Sequence, residues 1–207
     1  MQPPALTLST AQAVSSSAPE QSVDQMRAEI LQSGDYLHYM MTVDSSQRLP
    51  ALLAINSRLT NEQYWELVRE AWMSAEVTLP DKACWLSLLQ SDRPGRDHLM
   101  TQEEHEALSQ LPEVIRIFRG CGSHDGIGGL SWTLNRARAK MFAFYACGPR
   151  RLVLTANHQG SIPVVAEATV AKRYVIAHVL DRQEEEIIVD PRNIDLVEAR
   201  EWRNLRR

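Results

Sequence analysis

The chain has 207 residues, of which 44% are hydrophobic and 23% charged, and its formal net charge is −4 at pH 7. This length and composition allow one domain, or one domain with a smaller appendage. No apolar run approaches the roughly 18 to 20 residues that cross a bilayer, and the first residues lack the basic start and apolar centre of a signal peptide. We therefore expect a soluble, cytoplasmic protein with no membrane partner. The acidic balance argues against general nucleic-acid binding, which needs a surplus of Lys and Arg on one face.

The cysteine and histidine residues do not predict a metal site. Cys84, Cys121 and Cys147 lie far apart, and no Cys-x-x-Cys pair is present. The six histidines show no His-Glu-x-x-His or comparable spacing. Structural zinc sites usually bring pairs of ligands within a few residues of each other. We therefore expect reduced thiols and no metal.

The first half of the chain is predicted to be helical after a disordered leader. Residues 1–22 are rich in Ser, Ala, Pro and Gln and contain too few large apolar side chains to offset the entropy of ordering. From residue 23 to residue 111 the apolar residues recur at helical spacing, which predicts a helical subdomain. Thr101 and Glu104 have the spacing of a capping box. The first predicted helix begins at Val23. Three further helices are predicted from Asn61 to about Ala75, from Asp81 to Leu89 and from Thr101 to Leu108.

The second half, residues 112–207, is predicted to be a β-rich domain. Short runs of β-forming residues are separated by glycine and polar clusters, and one helix interrupts them from about Asn135, its N-cap, to Ala146. Because strands and helices do not alternate, a doubly wound parallel sheet is not expected, and the fold class is α+β. The predicted strands are Val114–Phe118, Leu152–Ala156, Val164–Val170, Tyr174–Val179, Ile187–Val189 and Asp195–Val197.

Arg119 follows the strand sequence Val-Ile-Arg-Ile-Phe and directly precedes Gly120. Its guanidinium could project from the sheet edge toward a phosphate or carboxylate, or be an ordinary exposed arginine. Five glycines lie between positions 120 and 129, but their spacing is not that of a dinucleotide fingerprint, and no Gly-Lys-Ser/Thr is present. By itself, this cluster predicts a flexible loop.

Polar side chains recur with the two-residue period of a strand at two further places. Ser131 and Thr133 would share one side of a short strand, and Glu184 and Glu186 would share one face while Glu185 points away. Two carboxylates on one face can divide roles, one stabilising developing positive charge and the other activating a nucleophile. The alternatives are structural hydroxyls in the first case and a charged turn before an edge strand in the second.

The order of these pieces resembles that of a known enzyme class. A strand ending in Arg119-Gly120 is followed by Ser131-Trp132-Thr133 and a helix, and then by Glu184-x-Glu186 before an apolar strand and Pro191. Over about residues 112–199 this resembles the arginine–serine–glutamate class of ADP-ribosyltransferases, which includes cholera-like and clostridial toxins and many bacterial and phage effectors. The resemblance implies two packed antiparallel sheets around an NAD cleft.

The resemblance also implies a role for each polar residue. Arg119 would hold NAD through its phosphates or ribose, and the backbone of Gly120 would hydrogen-bond the nicotinamide amide. Ser131 would position the catalytic carboxylate and touch the nicotinamide-side ribose. Glu186 would stabilise the positive charge that forms as nicotinamide leaves, and Glu184 would orient and help to deprotonate the acceptor.

The middle motif departs from the family's common Ser-Thr-Ser. Here it reads Ser131-Trp132-Thr133, and we include all three residues in the predicted NAD-binding set. The bulky Trp132 could pack inward or line the NAD cleft, and these two alternatives stay open at this point.

The implied activity is mono-ADP-ribosyl transfer from NAD to a protein. In the family, Glu-x-Glu goes with arginine acceptors, so Glu184 points to modification of arginine. The helical subdomain would recognise the target or cover the cleft, an inhibitor or antitoxin would be a further partner, and the protein could be delivered into a host or target cell. The alternatives are an NAD glycohydrolase, in which water replaces the acceptor, and a non-catalytic relative that serves as a binding module.

Overall fold

The computed structural model describes residues 22–74, 79–146, 162–181 and 184–201. The leader predicted for residues 1–22 therefore lies outside the described residues except for Ser22, and so does the whole strand predicted for Leu152–Ala156. No helix in these four ranges is both long and apolar enough to cross a bilayer.

The chain divides into two compact units, with the boundary between Thr42 and Val43. The described part of the first unit contains the helices α1 (Val23–Ser33) and α2 (Tyr36–Met41). Ser22 and Gln25 form a capping box at the start of α1, and Gly34 ends that helix in a left-handed conformation with φ of 79°. Such a conformation favours glycine because it has no Cβ.

Two helices of the second unit, α4 and α6, begin at side-chain caps that replace missing backbone partners. Thr101 and Glu104 form the predicted capping box at the start of α6. At the start of α4 the cap is Thr60 rather than Asn61, because the Thr60 hydroxyl accepts from the Gln63 amide while the Gln63 side chain accepts from the Thr60 amide. The first four α-helices of this unit are α3 (Arg48–Ile55), α4 (Asn61–Ser74), α5 (Lys82–Leu89) and α6 (Gln102–Gln110).

Six antiparallel strands follow and confirm the α+β class. They form one sheet in the order β4-β5-β2-β1-β3-β6, whereas two packed sheets were expected. The compact unit that begins at Val43 contains this sheet together with helices α3 to α6. The strands are β1 (Val114–Cys121), β2 (Ser131–Thr133), β3 (Val164–Ala171), β4 (Val175–Val179), β5 (Glu186–Val189) and β6 (Ile194–Glu201).

The sheet is narrowly connected at its centre, between β1 and β2. In the described residues β1 and β2 pair at a single position, Phe118 opposite Thr133, whereas β1 and β3 pair along the full length of both strands. The strands on either side of this pair therefore form two three-stranded halves, β4-β5-β2 and β1-β3-β6. The two halves stay joined at this one pair of residues, so all six strands belong to one sheet.

Opposite faces of the sheet pack on different partners. A core on one face contains Ile117, Trp132 and Ile187, and all three are fully or almost fully buried. On the other face α7 (Arg136–Ala146) packs against Phe118 through Ala139 and Ala143. Asn135 is the N-cap of α7 as predicted, because its side-chain oxygen accepts from the amides of residues 137 and 138.

Gly120 permits the close approach of α7 to β1. A Cβ atom at this position would lie 1.7 Å from the Ala139 carbonyl oxygen and 2.5 Å from the Ala143 nitrogen. Both neighbours are backbone atoms of a helix, so neither can rotate away. The absence of a side chain here is therefore a requirement of packing.

We predict that Gly120→Ala lowers the free energy of unfolding by about 3 kcal/mol, at the upper end of what overpacking costs. Gly128→Ala is the matched control, because its Cβ would meet only the Lys82 ammonium at 3.8 Å. Denaturant unfolding of both variants measures the difference. Equal stability of the two variants would contradict the packing argument.

Candidate active site

A cleft of about 380 Å³ opens where β1 and β2 diverge. Its volume falls within the range of about 300 to 1,000 Å³ that is usual for small-molecule sites. Five of the residues predicted from sequence line this one cleft, together with three aromatic residues. The lining residues are Phe118, Arg119, Gly120, Ser131, Thr133, Phe142, Tyr145 and Glu184.

Arg119 is held in the cleft by backbone carbonyl groups. Its Nε donates to the Gly126 carbonyl at 2.6 Å, and its Nη1 donates to the Ser131 carbonyl. A Cβ on Gly129 would lie 2.1 Å from Nη2, so a glycine is needed beside the guanidinium. Gly129 thus makes room for the arginine, a role that the spacing of the loop glycines in sequence did not reveal.

Glu186 is the first residue of β5 and lies opposite Thr133 in the register of β2 and β5. Hydrogen bonding by the Ser131 side chain lowers the pKa of this carboxylate. It also accepts from the indole Nε1 of Trp72, which is 3.3 Å from one carboxylate oxygen and 3.4 Å from the other. The indole therefore fixes this carboxylate, and Glu186 itself is not among the residues that line the cleft.

Glu184 reaches the cleft by a different route from the one predicted. The strand begins at Glu186, so strand alternation does not place Glu184. Instead, Glu185 has a left-handed φ of 46°, which is rare for a residue with a side chain. The Glu184 carbonyl accepts from the Thr133 hydroxyl at 2.6 Å, and the Glu185 carbonyl accepts from the Leu134 amide at 3.1 Å. This turn brings Glu184 to the cleft lining.

Burial shifts the pKa of both Glu186 and Arg119 toward the neutral form, and most of the neighbouring groups act against this shift. Burial raises the pKa of Glu186 above its ordinary value, and the charge of Glu184 adds to the rise, while the bonds from Ser131 and Trp72 and the charge of Arg119 reduce it. Burial also lowers the pKa of Arg119, against the fields of Glu186 and Cys121. A guanidinium stays protonated under such conditions, so the cleft holds a fixed cation, while the carboxylate with the raised pKa, Glu186, lies outside the cleft lining.

Trp132 does not line the cleft, although we predicted that it binds the cofactor. Its indole is 1% exposed and belongs to the core on the opposite face of the sheet, where Nε1 donates to the Gly129 carbonyl at 3.1 Å. Side chains alternate along β2, so a strand that turns Ser131 and Thr133 to the cleft must turn Trp132 away. The inward alternative is therefore correct.

The aromatic residues of α7 were missed at the sequence level. Phe142 and Tyr145 lie three residues apart on this helix and line the cleft. Their helical spacing was visible in the sequence, but it did not indicate which face of α7 meets the sheet. They give the cleft an apolar wall opposite its charged groups.

Metal ligands do not cluster in the described ranges, where no group of three or more His, Cys, Asp or Glu residues could hold an ion. Comparison of the chain with protein-family models, with curated proteins and with solved structures gives no match.

The burial of Glu186 predicts a pH-dependent stability. Because its pKa is raised in the folded state, the folded protein holds this proton more tightly than the unfolded chain does. The wild type therefore loses stability as pH rises from the ordinary pKa of glutamate through the raised value, whereas the amide of the Glu186→Gln variant does not titrate. We expect the melting temperature of Glu186→Gln, relative to wild type, to be higher at pH 8 than at pH 4.5.

Thermal melts of both proteins across this range measure the effect. A difference of about 1 kcal/mol shifts Tm by about 2 to 4 °C at this chain length. Glu185→Gln, at the exposed neighbouring carboxylate, is the control and should show no such trend. A constant difference between Glu186→Gln and wild type at every pH would contradict the prediction.

Proposed function

We propose that the protein is a mono-ADP-ribosyltransferase that moves ADP-ribose from NAD to an arginine side chain of another protein. The observation that supports it is the meeting of Arg119, Ser131 and Glu184 in one cleft, with Glu186 opposite the cleft residue Thr133 in the pairing of β2 and β5. These residues come from two segments of the chain, 119–131 and 184–186, and they are the ones that the resemblance to the arginine–serine–glutamate class selects.

Substrate binding would use the two walls of the cleft. Arg119 supplies a cation whose orientation is fixed by two carbonyl groups, which suits the pyrophosphate of a dinucleotide. Phe142 and Tyr145 supply an apolar surface suited to a flat ring such as nicotinamide. Binding energy from the phosphates would then fix the ribose, far from the phosphates themselves, for reaction.

The reaction needs a negative group where positive charge develops. When the bond between the ribose C1′ and the nicotinamide nitrogen breaks, its electron pair leaves with nicotinamide, and the ribose carries a partial positive charge. The Glu186 carboxylate would stabilise this charge, and Ser131 would keep it oriented. The acceptor guanidinium nitrogen then bonds to C1′ and loses its proton to Glu184.

The first test is the release of nicotinamide from NAD by the purified protein. We expect Glu186→Gln to lower kcat by about 100-fold or more, which is typical for the removal of one group that stabilises a transition state electrostatically. Glu185→Gln should keep near wild-type activity. No release and no NAD binding by the wild type would overturn the proposal in favour of a non-catalytic binding role.

A second test separates transfer from hydrolysis. Because Glu184 is proposed to act on the acceptor and not on the breaking bond, Glu184→Gln should lose transfer to protein while NAD hydrolysis persists. Transfer of a labelled NAD analogue to lysate proteins, measured beside nicotinamide release, shows the two activities. Equal loss of both would contradict this role for Glu184, and hydrolysis without any transfer by the wild type would identify a glycohydrolase.

A further inference from the structure

A residue outside the β-rich half of the chain contacts the proposed catalytic carboxylate. Trp72 lies in the last turn of α4, and its indole nitrogen is shared between both Glu186 carboxylate oxygens at 3.3 and 3.4 Å. The indole is 6% exposed, so bulk water has little access to this bond. A hydrogen bond to a charged acceptor in such surroundings is stronger than one between neutral groups.

The Trp72 ring is fixed by the helices around it. The ring of Trp85, on α5, packs against it edge to face, with centroids 5.2 Å apart and an interplanar angle of 90°. Trp85 is fully buried, and its own indole nitrogen has no partner within the described part of the chain. Trp85 thus supports Trp72 by packing alone.

Helix α4 is also fixed to the segment that leads to the carboxylates. Arg69, one turn before Trp72, forms a bidentate ion pair with Glu104 on α6 at 2.7 and 3.0 Å and contacts Asp181 at 3.4 Å. The same Glu104 carboxylate accepts from the Leu180 amide at 3.0 Å, directly after β4. One helix therefore carries the donor to Glu186 and the arginine that anchors the chain before Glu184.

We propose that Trp72 is a positioning residue for Glu186, so that α4 is an integral part of the catalytic centre. This inference rests on the proposed function in that Glu186 is taken to be the catalytic carboxylate. The Trp72 indole, which is shared between both oxygens, holds the carboxylate in one orientation. Without the indole N–H, the carboxylate would turn more freely and its neutral form would be favoured.

The activity test uses Trp72→Phe, which keeps an aromatic ring and removes the N–H. We expect kcat to fall about tenfold to a hundredfold, the loss that one hydrogen bond to a charged group represents, while KM for NAD changes little. The acid limb of the pH–kcat profile should move to higher pH, because the charged form of Glu186 loses a donor while Glu184 and Arg119 still act on it. Unchanged kcat and pH profile would overturn the proposal, and so would a rise in activity, which would identify Trp72 as a cover.

The matched control is Trp85→Phe. This variant makes the same change of ring at the residue that packs against Trp72, but its indole does not donate a hydrogen bond to Glu186. It should lower stability to a similar extent and leave the acid limb of the profile near that of wild type. The same shift of the acid limb in both variants would show that loosened packing, and not the hydrogen bond, is responsible, and would overturn the proposal.

A readout without NAD separates this inference from the proposed function. In nitrogen-15 spectra of the whole protein, the Trp72 indole resonance should move with pH in the wild type and stay fixed in Glu186→Gln, and this comparison does not require Trp72→Phe to fold. A Trp72 indole chemical shift that does not change with pH in the wild type would contradict the hydrogen bond to Glu186. A titrating indole in a protein that releases no nicotinamide would support the contact while the proposed reaction fails.

Discussion

The buried carboxylate of Glu104 holds the helical and β-rich parts of the second unit together. It is 2% exposed and accepts two bonds from Arg69 and one each from the Thr101 and Leu180 amides. Burial opposes its ionisation, but these donors keep the pKa of Glu104 below its ordinary value. Removing one partner of such a pair typically costs about 3 to 5 kcal/mol, because the other charge stays buried. Helix α4, helix α6 and the end of β4 therefore share one anchor.

The cleft contrasts with this anchor because its charges are only partly compensated. Arg119 is bonded to neutral carbonyl groups, and Glu186 is bonded to an indole. Neither residue has a salt-bridge partner within the described ranges, and each is shifted by burial toward its neutral form. Such an arrangement sacrifices stability at the site, and it leaves a fixed cation in the cleft lining.

Short sequence patterns predicted the features that depend on neighbouring residues, such as helix caps. They did not predict contacts between residues far apart in the chain. The capping box of Thr101 and Glu104 is encoded within four residues, so the start of α6 was readable from sequence. The convergence of Arg119 and Glu186 was inferred only from the order of motifs, because no local pattern specifies that contact. The bond from Trp72 joins residues 114 apart in sequence and left no signal in either segment. The orientation of Trp132 depended on which face of β2 meets the core, and alternation alone permits either choice.

The single pair between β1 and β2 gives the sheet a joint at its centre. Arg119 and Gly120 belong to one half of the sheet, while Ser131 and Glu186 belong to the other. A ligand that contacts both halves links them across this joint, and its binding free energy opposes any separation of the halves. Amides beside the joint should therefore exchange more slowly with solvent when the cleft is filled. Occupancy could then be followed by hydrogen exchange for any candidate ligand, whether or not it reacts.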